Sequence, residues 1–164
     1  MPERSAPRPH AVLRRARAEA CALGSPTVEA EHVLLAISVQ KGTRAQQILG
    51  AAGLDHDAIS AALDREFEES LSAAGVSLSS FDLPVRRRRA DREPQWGASA
   101  KLAIQRAHTA SKAGPGRHME PTHLLVGILR AQGGTVPRAL ALAGVDRALL
   151  TSAAEQALPR GRQA

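Results

Sequence analysis

The stretch EAEHVLLAIS, Glu29 to Ser38, returns as EPTHLLVGIL, Glu120 to Leu129, and His32 and His123 place the two copies 91 positions apart. The register extends without a gap from Ala11–Asp55 onto Leu102–Asp146. It pairs Arg15 with Arg106, Ala16 with Ala107, Leu34 with Leu125, Ile37 with Ile128, Gly42 with Gly133, Gly53 with Gly144 and Asp55 with Asp146. Most matched positions are apolar, helix caps or helix stops. A duplicated four-helix unit explains that selection, because each copy buries its apolar face against the other. The expected fold is therefore all-α: two pseudo-symmetric four-helix repeats, eight helices in one domain.

The local signals agree. Leu13, Ala16, Ala20 and Leu23 recur at helical spacing and predict a first helix near His10–Leu23. GSPT breaks it. Thr27 is read as the N-cap of a second helix running to about Gln40, with Glu29 and Glu31 in its first turn, where the helix dipole favours acids. Thr43 and Asp55 are expected to cap the third and fourth helices, the last ending near Leu71. In the second half a helix is predicted over Ala98–Ala113 with Leu102, Ile104 and Ala107. Pro121 fits the first turn of the next, where its missing N–H costs nothing. Thr135 is read as a cap, and Gly144 and Asp146 repeat the Gly53–Asp55 junction. No alternating β-branched run predicts a strand. The expected division is repeat 1 over 1–72, a flexible basic linker over 73–95, repeat 2 over 96–158 and a tail over 159–164.

Composition narrows the function classes. The aromatic residues are Phe67, Phe81 and Trp96, so the core must be aliphatic. A single cysteine, Cys21, excludes an internal disulfide and a Cys-rich zinc site, and points to a reducing, cytoplasmic compartment. The N-terminal MPERSAPRPHAVLRR lacks the apolar stretch of a secretory signal, and no apolar window is long enough to span a membrane. The net charge is +6, but Arg86–Arg89 supplies four of those charges. The basic balance is thus local and argues weakly for a nucleic-acid surface. No G-x-x-x-x-G-K-[ST] loop, H-E-x-x-H pair or nucleophile–base context is present, so no catalytic residue, cofactor or metal is expected.

The two histidine-bearing stretches, each followed by a glycine and then LGAAGLD or LALAGVD, resemble the Clp N-terminal (Clp repeat) domain, the substrate-receiving domain of bacterial Clp unfoldases. The resemblance covers about residues 1–72 and 96–158. It implies an eight-helix pseudo-twofold fold that binds substrate proteins, adaptors or peptides. In some members a pair of sites holds phosphorylated arginine through a Glu before each His and a Thr near each repeat start. Here Glu31 keeps the first Glu, Thr122 stands at the second, and Ser5-Ala6 and Trp96-Gly97 replace the early Phe-Thr pairs. These departures lean toward a changed ligand. Related actinobacterial domains bind toxic cyclic peptides in a groove whose matching positions are Pro2, His10, Leu13, Arg14, Trp96, Lys101 and Gln105. The resemblance also implies a receiving domain without its ATPase modules.

Individual residues admit plainer readings. His32 and His123 are expected to hydrogen-bond at their own helix starts and lock each repeat. Glu31 is either a receiver of a cationic group or a solvated first-turn acid. Trp96 is either a staple on the helix it precedes or an exposed anchor for a partner. Cys21 is expected to pack on the first helix. Arg86–Arg89 is read as a solvated linker run, with nucleic-acid or acidic-protein contact as the alternative. The function expected is a non-enzymatic peptide- or protein-binding module, an adaptor or regulator of Clp proteolysis with a Clp unfoldase or protease as a possible partner. One alternative is a decoy that sequesters Clp-targeting cyclic peptides. The other is a nucleic-acid-associated regulator acting through the Arg-rich run.

Overall fold

A computed structural model describes residues 9–77 and 91–160. Pro2, Ser5, Ala6, Phe81 and the Arg86–Arg89 run lie outside the described residues. The chain is all-α. Repeat 1 carries α1 (Pro9–Ala22), α2 (Ala30–Ser38), α3 (Arg44–Ala51) and α4 (His56–Ala73), and repeat 2 carries α5 (Ala98–Lys112), α6 (Pro121–Leu129), α7 (Thr135–Leu142) and α8 (Arg147–Gln156). A short 3-10 turn, Pro115–Arg117, lies between α5 and α6.

The echoed stretches are α2 and α6, and they form the centre. Each is apolar nearly all round, a pattern that suits a helix surrounded by others. Val33, Leu34, Leu35, Ala36 and Ile37 of α2, and Leu124, Leu125, Val126 and Ile128 of α6, are all at most 1% exposed. Each such leucine or isoleucine contributes about 1.5–3 kcal/mol relative to exposure. Helix α1 covers α2 through Val12, Ala16 and Ala20, and α5 covers α6 through Ala100, Ala103 and Ala107. These small residues let the helix axes come close. At Gly127 the approach leaves no room for a side chain: a Cβ there would lie 2.2 Å from the Ala103 carbonyl oxygen. The repeats then interlock, since α4 packs on α7 and α8 packs on α3. The half-buried pair Glu66–Arg138, at 2.8 Å, fastens the first of these contacts.

Four details depart from the expectations. Thr27 does not cap α2; it lies in β1 (Thr27–Val28), and Glu29 is the N-cap. That short strand pairs in parallel with β2 (Gln95–Trp96), so the repeats share a two-residue sheet where no strand was expected. It exists because Gln95 and Gly97 donate their N–H groups to the Pro26 and Val28 carbonyls, at 3.0 and 2.9 Å, a pairing no local pattern announces. Thr135 is the first residue of α7 rather than its cap, because Gly134 at φ +108° makes the turn into the helix. Leu102, counted with the apolar set of α5, is 47% exposed, while Ala103 takes the inward position. The expected caps Thr43, Asp55 and Asp146 each accept a backbone N–H, from Gln46, Ala58 and Leu149.

Candidate binding groove

Helix α1 has two stripes. Val12, Ala16, Glu19 and Ala20 face inward, and His10, Leu13, Arg14, Arg17 and Cys21 recur on the outward side. The chain entering repeat 2 runs opposite this outer stripe. Between them lies an open groove of about 800 Å³, whose far wall is Asp91–Pro94 and Trp96. The β1–β2 pairing fixes that wall, because the hydrogen bonds from Gln95 and Gly97 flank Trp96 on both sides. The indole is partly buried, and the Arg17 guanidinium stands 5.3 Å from its ring centroid. Such a cation–π contact is worth about 0.5–1 kcal/mol at an exposed site. Glu93 in turn pairs with Arg17, so three residues hold one another in place across the groove.

Four of the seven residues expected to bind ligand meet here: His10, Leu13, Arg14 and Trp96. Lys101 and Gln105 sit exposed on α5 and do not line this groove. Glu31 lies in a different pocket of about 550 Å³, together with Ser99, Leu102, Arg106 and Val136. Burial pushes its carboxyl pKa up; its own backbone N–H opposes this, and the negative charges of Glu29 and Glu66 add to it. Arg17 and Glu93 were not anticipated. Arg17 was legible, since it lies seven residues from His10 on the same stripe. Glu93 was not, because the polar run around it reads as linker. Cys21 lines the groove and is partly exposed rather than packed away in the core.

The histidines do cap their helices. The Glu29 backbone N–H donates to His32 Nδ1 at 2.9 Å, and the Glu120 N–H donates to His123 Nδ1 at 3.0 Å. Accepting at Nδ1 requires the neutral ring with its proton on Nε2. Burial lowers both histidine pKa values against the pull of the nearby acids.

The comparisons with known proteins fit this geometry. The family model of the Clp repeat (R) N-terminal domain matches residues 6–84 and 97–164, and the chain belongs to that family. Among solved structures, the N-terminal domain of the caseinolytic protease associated chaperone ClpD from Arabidopsis thaliana is similar. It shares 20% identity with a TM-score of 0.65, covering 94% of each chain. The Hsp104 N-terminal domain from Candida albicans is similar at 13% identity and TM-score 0.61, covering 91% of this chain and 87% of that one. At these identities the likeness shows the fold. A search of curated protein sequences gives no match. Family membership supports a substrate-binding or adaptor-like module. No helix among the described residues is long and apolar enough to cross a membrane.

Proposed function

We propose that this chain is a non-enzymatic binding module that seats a peptide segment in the groove between α1 and Trp96, and acts as an adaptor or regulator of Clp proteolysis. The observation that carries this reading is the groove itself. Its aromatic wall is pinned by backbone pairing and by Arg17, and it is rimmed by both signs of charge. A fixed aromatic in a concave, mixed-polarity site is what anchors an apolar side chain while polar groups engage the peptide backbone. The role of Glu31 is a separate cationic contact in its own pocket.

A second reading is favoured by size. About 800 Å³ is larger than one side chain needs and lies within the range of small-molecule sites. A compact cyclic peptide suits such a volume, and a protein in excess of its Kd lowers the free concentration of such a compound directly. The chain is then a decoy that protects a Clp unfoldase.

Calorimetric titration with a groove-binding cyclic peptide and with free phosphoarginine, each repeated on Trp96→Ala, tests both readings. Cyclic-peptide binding lost in the variant supports the groove. Binding unchanged by Trp96→Ala sinks it. Adding the protein to a Clp degradation assay then separates the roles: an adaptor changes substrate turnover by itself, whereas a decoy changes it only when the compound is present.

A further inference from the structure

The groove between α1 and Trp96 already holds a carboxylate, and it is the chain's own. Arg17 lies over the Trp96 indole and pairs with Glu93 through one terminal nitrogen, Nη1. The two partners of Arg17 are held very differently. Trp96 is fixed by the Gln95 and Gly97 hydrogen bonds on either side of it, and its ring is partly buried. Glu93 is held by little besides the ion pair. Its side chain is 69% exposed, and among the described residues Asp91, Arg92 and Glu93 make no backbone–backbone hydrogen bond. Asp91, on the same wall, pairs with no base among the described residues. An exposed ion pair of this kind favours contact over separation by about fivefold at most. Glu93 also makes only one of the two parallel bonds that a guanidinium edge offers a carboxylate. An incoming carboxylate free to align gains the second.

Given that the groove seats a peptide, as proposed above, we infer that Glu93 is a built-in competitor and that the favoured peptide carries an Asp or Glu side chain beside an apolar residue. The acidic side chain displaces Glu93 from Arg17. The apolar one packs on Leu13 and Trp96: Leu13 lies four residues before Arg17 on the same face of α1, and Trp96 lies under its guanidinium. Glu93 thereby lowers the apparent affinity of every acidic ligand by the fraction of time it occupies Arg17, and leaves a neutral ligand unaffected. The contact is thus both a specificity filter and a weak autoinhibitory latch.

The test compares two peptides, acetyl-Leu-Glu-Leu-Glu-Leu-amide and its Gln twin, titrated into the full chain at low ionic strength. NMR follows the α1 amides and the Trp96 indole N–H. The capped ends leave the side chains as the only carboxylates. The Glu peptide is expected to bind about fivefold more tightly than the Gln peptide. Glu93→Gln, at an exposed position, should raise affinity for the Glu peptide by about two- to fivefold and leave the Gln peptide unchanged. Arg17→Gln should bring the two peptides to the same affinity. Arg17→Lys, which keeps the charge but not the fork, should retain a smaller preference. Equal binding of the two peptides by the native chain, with both lost in Trp96→Ala, overturns the carboxylate preference while the groove stands. An affinity for the Glu peptide that is unmoved or lowered by Glu93→Gln overturns the competitor role, since Glu93 then only props Arg17. Silence with both peptides, where a groove-binding cyclic peptide still shifts Trp96, overturns this inference alone; silence with all three removes the groove as well.

Discussion

Glu29 and Ser99 cap each other's helices across the boundary between repeats. Ser99 Oγ accepts the Ala30 N–H at 2.9 Å, and Glu29 Oε2 accepts the Ser99 N–H at 3.2 Å and the Ser99 hydroxyl. One contact thus serves the first turn of α2 and the first turn of α5 together. The carboxylate reaches this position because residue 97 is glycine: a Cβ there would lie 1.8 Å from Glu29 Oε1.

Ser99→Ala should therefore uncap two helices at once. The expected loss is about 1–2 kcal/mol, at the upper end for a single cap, and a lowered urea midpoint with an unchanged slope would report it. A midpoint equal to the parent protein's would mean the contact contributes nothing.

Gly127→Ala should cost more. The new methyl meets the Ala103 carbonyl, a backbone atom that cannot swing aside, and overpacking of this kind costs about 1–3 kcal/mol. Residue 36 at the equivalent place in α2 is already alanine and is fully buried, so the crowding is specific to the α5–α6 contact. Thermal unfolding of Gly127→Ala beside Ala36→Gly checks this; the first should lower Tm further than the second.

The two capping histidines make stability fall in acid. Each is held neutral in the fold, so the unfolded chain binds more protons once pH drops below about 6.5. Stability is complete above that value and declines as pH falls toward the lowered folded pKa values. Glu31 works the other way, because its raised pKa makes the folded state bind a proton before the unfolded chain does. Urea midpoints at pH 7.5 and 5.5 should show the decline, and Glu31→Gln should steepen it. A midpoint that rises on acidification in both proteins would contradict this assignment.

Trp96 is the only tryptophan, so its fluorescence reads the groove directly. Arg17→Ala should increase quenching of Trp96 by iodide, since the guanidinium that covers the ring is gone. Glu93→Gln should produce a smaller change in the same direction, because it loosens Arg17 rather than removing it.

The core of this molecule was legible because it is periodic. His32 and His123, the helices they begin, and the junctions at Asp55 and Asp146 follow from residues within a few positions of one another. What escaped depends on partners far along the chain. By local chemistry Thr27 is the better cap, yet Glu29 takes the position, and Ser99, 70 residues on, is part of what holds it there. The same distance effect applies at the groove. His10, Leu13 and Arg14 share a visible helical stripe, but Glu93 joins them only because β2 crosses to β1, and a polar stretch gives no sign of that crossing. Lys101 and Gln105 were grouped with the groove by resemblance alone, and α5 presents them elsewhere.

The packing of α4 on α7, and of α8 on α3 as well as on α6, has a consequence for how the chain tolerates being cut. Each repeat supplies part of the wall around the other's core. Scission anywhere between Ser77 and Asp91 would sever the polypeptide and leave every described contact between the repeats intact. The fragments would then associate as a heterodimer through these contacts, and the chain in one piece is that heterodimer with its halves kept at a high effective concentration.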